Sequence, residues 1–119
     1  MLITTDYRRG DIALVNFAFS EETGSKRRPV LLLSSDKYKC MEGHQEAVVS
    51  AITSNTRRIP TGDYLMVDWE DSGLIFPSVA TDILRTIKQS MIERKIRDMS
   101  QCDLAGIESN LTHILELNS

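Results

Sequence analysis

The sequence is poor in the residues that build disulfide-rich, membrane-spanning or collagen-like proteins. Its 119 residues include two cysteines, three prolines, six glycines and 6% aromatic side chains. Cys40 and Cys102 give neither a disulfide framework nor the paired spacing of a zinc site. No apolar run approaches the roughly 20 residues that cross a bilayer, and residues 1–10 lack the apolar segment of a signal peptide. We therefore expect a reduced, cytoplasmic protein with no membrane segment.

Motifs of several common enzyme classes are also missing. The chain contains no glycine-rich phosphate loop, no GxSxG, no HExxH and no CxxC. Their absence excludes P-loop nucleotide hydrolysis, serine hydrolase chemistry and the common zinc sites. A ribonuclease built on His44 and His113 stays open, although no pattern brings these two side chains together.

The overall charge does not favour nucleic acid, but its distribution does. Lys and Arg number 14 against 17 Asp and Glu, for a net charge of −3. Four acids and no base lie from Asp98 onward, which leaves the first 97 residues with one more basic than acidic side chain. The basic residues also cluster, at 8–9, 26–28, 57–58 and 94–97. A local basic surface is therefore compatible with the acidic total.

Short apolar runs separated by turn residues predict a mainly β chain. We expect strands over residues 11–19, 29–35, 46–54 and 64–69, and a further strand over 89–96. The first run is apolar on both faces, which is typical of a strand that is covered on both sides.

Residues 78–87 are ambiguous in the sequence. Their apolar side chains have helical spacing, whereas β-branched residues and the turn-like Thr81-Asp82 favour two short strands.

The end of the sequence predicts the clearest helix. Ser100 and Asp103 form a capping box with Asp in place of Glu, and apolar residues then recur at helical spacing as far as Leu115. Gly106 and Asn110 weaken the intrinsic helix propensity of this segment.

This order of elements predicts the architecture. Five or more short strands followed by one amphipathic helix indicate a small curled or barrel-like antiparallel sheet. The helix would cover an open face or an end of that sheet. We expect a single domain of this mainly β, α+β class over residues 1–119.

The most informative local feature is the basic triplet Lys26-Arg27-Arg28, which precedes Pro29 at the start of the second strand. Arginine offers a planar fork of donors that fits a phosphate. On composition alone, a solvated basic loop is the more common use of such a run.

Two further clusters have an ordinary structural interpretation beside a functional one. Thr53 and Ser54 end the third strand, where hydroxyl groups bind a phosphate or, more often, cap a turn. Asp68, Glu70 and Asp71 supply oxygens of the kind that hard cations prefer, but an acidic turn is the more common arrangement.

Five blocks of sequence occur in a distinctive order. They are RGDI at 9–12, GSKRRPVLLLS at 24–34, AITS at 51–54, SV at 78–79 and ILRTI at 83–87. In this order they resemble the MazF/PemK family of toxins from bacterial toxin–antitoxin systems, and the first two blocks are the most specific. The resemblance runs from about Arg9 to Leu115. It implies an SH3-like barrel with a C-terminal helix, normally as a homodimer.

The resemblance also implies an activity and a set of site residues. Members of this family are sequence-specific endoribonucleases that cleave single-stranded mRNA at short sequences without a metal or other cofactor, and a cognate antitoxin with a flexible tail restrains them. Catalysis is assigned by this resemblance to Arg28 and Thr53. RNA contacts are expected from five further residues: Lys26, Arg27, Ser54, Ser78 and Arg85.

The chemistry of RNA is consistent with so small a set of residues. The 2′-hydroxyl can attack the neighbouring phosphorus, so the enzyme needs to align the reacting oxygens and stabilise the developing charge. We expect products with 2′,3′-cyclic phosphate and 5′-hydroxyl ends. Two alternatives remain from the sequence: a CcdB-like gyrase poison without enzymatic activity, and an inactive SH3-like binding module.

Overall fold

A computed structural model of the protein describes residues 7–16, 27–35 and 46–117. Within these ranges the chain forms six strands, one 3-10 turn and one helix. In chain order they are β1 (Asp11–Asn16), β2 (Arg27–Leu32), β3 (Glu46–Thr53), β4 (Tyr64–Leu65), β5 (Val79–Lys88), the turn Gln89–Met91, β6 (Ile92–Asp98) and α1 (Gln101–Leu115). No helix in the described part of the chain is long and apolar enough to span a bilayer.

The strands form one antiparallel sheet with the order β4-β5-β3-β2-β1-β6. Register shifts interrupt the ladder between β1 and β6 and the ladder between β3 and β5. Such shifts bend a strand and increase its twist. Among the described residues β4 and β6 form the two edges, so the sheet does not close into a complete barrel. The predicted α+β class, with a barrel-like sheet and a C-terminal helix, is confirmed.

Two sequence-based expectations for the middle of the chain were wrong. Residues 79–88 form one continuous strand, β5, rather than a helix or two short strands. The strand expected over 64–69 is limited to Tyr64–Leu65, and the chain then turns away from the sheet. Residues 17–19 of the first predicted strand lie outside the described residues.

Both faces of the central strands are covered, as the apolar sequence of β1 predicted. On β1, Ile12 faces one cluster of buried side chains, and Ala13 and Val15 face another. The first face, here called the helix face, also carries Leu31, Ile52, Met66, Ala80, Met99 and Ile107. The opposite face packs Val30, Leu32, Ala47, Val49, Ile87 and Ile92. Alternation along the strands places both clusters on one sheet.

Helix α1 is joined to the sheet by a buried carboxylate. The Ser100 side chain caps the helix by accepting the Asp103 N–H, as the capping box predicted. The fully buried Asp103 carboxylate accepts hydrogen bonds, each 2.9 Å long, from the Tyr64 hydroxyl and from the N–H groups of Val67 and Asp68. The two backbone donors are therefore used by the helix, which explains why β4 ends at Leu65.

The two weak helix formers in α1 both have a packing role. A Cβ atom at Gly106 would lie 2.2 Å from Cε1 of Tyr64, so only glycine lets the tyrosine ring lie this close to the helix. The Asn110 side chain donates a hydrogen bond of 3.2 Å to the Asp63 carbonyl. Residues that lower helix propensity here hold the helix against the chain that flanks β4.

A second buried carboxylate joins β1 to β6. Asp11 accepts hydrogen bonds from the Arg8 N–H at 2.7 Å and from the Lys95 ammonium at 3.2 Å. Lys95 also contacts Asp98 at 2.5 Å. Burial raises the pKa of Asp11, whereas the bond to Lys95 lowers the pKa of Asp98.

Candidate functional site

An open groove of about 580 Å³ lies where β2 and β3 meet β6 and the loop between β4 and β5. This loop, residues 66–78, is here called the 66–78 loop. Five of its apolar side chains come from β1, β2, β3, β6 and this loop: Leu14, Pro29, Ile52, Ile96 and Leu74. Three of them, Ile52, Leu74 and Ile96, also pack in the helix-face cluster. The groove is therefore continuous with the folded core.

Four arginines line this groove, which is here called the arginine groove: Arg27, Arg28, Arg94 and Arg97. The Arg27 Nε atom lies 3.0 Å from a Glu93 carboxylate oxygen, which offsets the charge of Arg27. Arg94 and Arg97 form no ion pair with any residue in the described ranges. Several guanidinium groups in one concave surface make a site for an anion with more than one negative charge.

Arg28 and Thr53 occupy matching positions at the ends of adjacent strands. The β2–β3 ladder pairs Val30 with Ala51, and Arg28 and Thr53 each lie two residues beyond this pair in the sequence. Both side chains are half-buried and line the groove. The Thr53 hydroxyl oxygen accepts the Asn55 N–H at 3.2 Å, which leaves its hydrogen to donate to a ligand.

The other predicted RNA-binding residues do not all lie in the groove. Arg27 and the exposed Ser54 line the groove. Ser78 also lines it but is buried, and its hydroxyl donates to the Phe76 carbonyl at 2.8 Å. Arg85 lies in the middle of β5 opposite Val49 and is not among the residues that line the groove. Lys26 lies outside the described residues.

Sequence reasoning missed several residues of the groove. Arg94 and Arg97 were visible only as part of a basic cluster, because the register shifts between β1 and β6 hide which side chains of β6 share a face. Ile75 and Phe76 line the groove although they lie in a loop outside every predicted element. Their signal in the sequence is two large apolar residues in succession before a proline.

A potential metal-binding group lies away from the groove, at the start of α1. One ligand atom from each of Asp68, Cys102 and Asp103 lies within 4.8 Å of the others. The Asp103 oxygens already accept three hydrogen bonds, so this carboxylate has a structural role. Glu70 and Asp71 are exposed in the turn that follows. Cys40 and His44 lie outside the described residues.

Comparisons with solved structures show the same fold in bacterial toxins. An endoribonuclease from a mycobacterial species, in complex with its cognate antitoxin, superposes with a TM-score of 0.72 at 18% identity, over 96% of this chain and 99% of that chain. Mycobacterium tuberculosis toxin MazF-mt6 gives 0.72 at 23% identity, over 92% and 99%. MazE-MazF from Deinococcus radiodurans gives 0.72 at 21% identity, over 94% and 98%.

Sequence comparison gives the family. No curated protein sequence matches this chain. A family model, described as the PemK-like, MazF-like toxin of type II toxin–antitoxin systems, matches residues 8–115. The match spans all six strands and the helix, and it includes every described residue that lines the arginine groove. The chain therefore belongs to the PemK-like, MazF-like toxins of type II toxin–antitoxin systems.

Proposed function

We propose that this toxin is an endoribonuclease that cleaves single-stranded RNA in the arginine groove. The observation that supports the proposal is that Arg28, Thr53, Arg94 and Arg97 line one open groove. Solved structures of the same fold that are described as endoribonucleases give it further support. An open groove accommodates a flexible single strand, whose phosphates would lie against the guanidinium groups.

In the proposed reaction the RNA supplies its own nucleophile. The 2′-oxygen loses its proton and forms a bond to phosphorus, while the bond from phosphorus to the 5′-oxygen breaks and the leaving oxygen gains a proton. The products carry a 2′,3′-cyclic phosphate and a 5′-hydroxyl. DNA lacks the 2′-hydroxyl, so the same groove would leave DNA intact.

Arg28 and Thr53 would act on the charge that develops at phosphorus. Arg28 donates to the nonbridging oxygens, and the Thr53 hydroxyl donates a further hydrogen bond. A guanidinium holds its proton too tightly for an efficient general acid or base. The proposed role of Arg28 is therefore stabilisation of negative charge in the transition state.

The same groove would account for control of the toxin. We propose that an antitoxin with a flexible, acidic tail binds the arginines in place of RNA, because both ligands are negatively charged and extended.

We further propose that the toxin acts in the cytoplasm as a homodimer. Arg27 and Ser54 are proposed as RNA contacts, and Lys26 keeps the same expected role from its place beside Arg27 in the sequence.

The decisive experiment is RNA cleavage by purified protein in the presence of EDTA. We expect the wild type to cleave and Arg28→Ala to lose about 10²- to 10³-fold in rate, the usual effect of removing one preorganised donor to a transition state. Arg85→Ala is the matched control, because Arg85 is an arginine outside the groove, and its rate should stay within about twofold. Thermal unfolding of each variant reports on folding.

Two results would contradict the proposal. One is a wild-type protein that does not cleave RNA under conditions in which it arrests growth. The other is an Arg28→Ala variant that cleaves as fast as wild type. Inhibition of DNA gyrase without RNA cleavage would favour the gyrase-poison alternative instead.

A further inference from the structure

Two large apolar side chains are exposed beside the arginines of the groove. Ile75 is 81% exposed and Phe76 is 61% exposed, and both line the groove. A single exposed apolar residue is common on protein surfaces, but adjacent ones inside a concave charged site indicate contact with a ligand. These two side chains do not belong to either buried cluster of the fold.

The backbone that carries Phe76 is held in place on both sides. Pro77 follows directly and restricts the conformation of Phe76 to extended backbone. The Ser78 hydroxyl binds the Phe76 carbonyl at 2.8 Å, and the Ser78 carbonyl accepts the Met66 N–H at 3.0 Å. Phe76 is thus an exposed ring on an ordered segment, so this part of the protein would lose little backbone entropy when a ligand binds.

The start of this segment is equally well anchored. The Leu74 N–H donates to the Trp69 carbonyl at 3.1 Å. Gly73 has a φ of +80°, and a Cβ atom there would lie 2.8 Å from Cγ2 of Ile96 on β6. The 66–78 loop therefore lies against the strand that carries Arg94 and Arg97, and Phe76 lines the same groove as those two cations.

The combination of charge and aromatic surface identifies the ligand chemistry. Proteins that bind single-stranded RNA pair cationic side chains for the phosphates with aromatic rings on which bases stack. We propose that Phe76 is a stacking platform for one nucleobase next to the phosphate held by Arg28. This inference rests on the proposed function, because it assumes that RNA occupies the groove. Stacking would tolerate different bases, since every base has a flat aromatic face.

The test uses RNA that the protein can bind but cannot cleave. A fluorescein-labelled 12-nucleotide RNA with 2′-O-methyl groups is suitable, because its 2′-oxygens cannot attack phosphorus. Fluorescence anisotropy then gives the Kd for wild type, Phe76→Leu and Phe76→Trp. We expect Phe76→Leu to raise the Kd by about 5- to 100-fold, the range found when one stacking ring is lost, and Phe76→Trp to retain wild-type affinity within about threefold.

Two controls separate stacking from general loss of apolar surface. Val67→Ala removes an exposed apolar side chain of the same loop that does not line the groove, and it should change the Kd by less than about twofold. The second control is a series of RNAs of the same length, each with a single abasic site at a different position. Phe76→Leu should raise the Kd for every RNA in the series except the one whose abasic site removes the stacked base. Phe76 is exposed, so circular dichroism and thermal unfolding should show that the variants fold as wild type does.

The outcomes distinguish this inference from the proposed function. A Phe76→Leu variant that binds RNA as well as wild type overturns the inference, as does an equal effect of Phe76→Leu on every abasic RNA. A wild-type protein that neither binds nor cleaves RNA overturns the proposed function. If RNA binding is insensitive to Phe76 while binding of an acidic antitoxin peptide is sensitive to it, the ring is a protein-docking residue and the inference fails.

Discussion

The groove and the helix-covered end of the same sheet face differ in whether their polar groups are paired within the protein. Beside α1, the buried Asp103 carboxylate is fully used by three donors, all from the segment 64–68. In the groove, guanidinium groups and a threonine hydroxyl lie at an open surface with two exposed apolar side chains. The Asp103 carboxylate is completely paired within the protein, whereas Arg94 and Arg97 in the groove form no ion pair among the described residues.

This difference separates structural from functional polar residues within one small fold. A buried polar group that is completely paired contributes to a single native arrangement, and breaking it costs the full desolvation of its partners. A polar group that faces a groove remains available to a ligand. Changes at the helix end should therefore act on stability first, whereas changes in the groove should act on RNA binding and cleavage with little effect on stability.

The largest effect is expected from Asp103→Ala. It would leave two backbone N–H groups and the Tyr64 hydroxyl without their acceptor, at a cost of about 3–5 kcal/mol in the free energy of unfolding. Urea denaturation at neutral pH measures this cost. Asp71→Asn, an exposed carboxylate in the adjacent turn, is the control and should change stability by less than about 0.5 kcal/mol. A small effect of Asp103→Ala on stability would contradict the structural role assigned to the polar groups at the helix end.

A smaller and pH-dependent effect is expected from Tyr64→Phe. Burial and the hydrogen bond to Asp103 raise the pKa of Tyr64 above its usual value of 10.0. Above about pH 10 the unfolded chain releases this proton while the folded protein keeps it, so the free energy of unfolding falls as pH rises. Below that pH, loss of the hydroxyl should cost about 1 kcal/mol.

The measurement for Tyr64 is urea denaturation of wild type and Tyr64→Phe at pH 8 and at pH 11. The difference between the two proteins should shrink at the higher pH, because the wild type then loses the contribution that the variant already lacks. A difference that grows with pH would contradict the assignment of a raised pKa to Tyr64.

The smallest effect is expected in the groove, on the salt dependence of RNA binding. Arg27 is offset by Glu93, so we expect three phosphate contacts, from Arg28, Arg94 and Arg97. The slope of log Kobs against log salt for a single strand should then be about −2. Arg94→Ala should make it shallower by about 0.7, with no measurable change in unfolding by urea. A wild-type slope much steeper than −2 would indicate phosphate contacts outside this groove.

Local patterns in the sequence predicted the elements whose form depends on nearby residues. Short apolar runs bounded by turn residues predicted β1 to β3, and the capping box predicted the start of α1. The end of β4 was not predictable, because its donors turn toward Asp103, which lies 35 and 36 residues away in the sequence. The role of Gly106 was not predictable for the same reason. Glycine weakens a helix locally, but here it makes room for the ring of Tyr64, which comes from a distant segment.

In the site, too, the sequence predicted the residues that belong to a local motif and missed those that depend on distant parts of the chain. Arg28 and Thr53 stood out because a family resemblance ties them to particular strand ends. The contributions of Arg94 and Arg97 depend on irregular pairing between β1 and β6, which alternation along β6 does not reveal. Phe76 has no motif, because its significance comes from exposure and from its neighbours across the groove.

The 66–78 loop has a consequence for how the specificity of such a toxin could diverge. Its first residues are held by the helix through Asp103, and its last residues are held by Ser78 at the start of β5. The exposed side chains between these anchors contribute little to the core, so substitutions at Ile75 and Phe76 are tolerated by the fold. A toxin gene can therefore change how tightly its groove holds RNA without passing through unfolded intermediates, because the anchors of the loop stay in place.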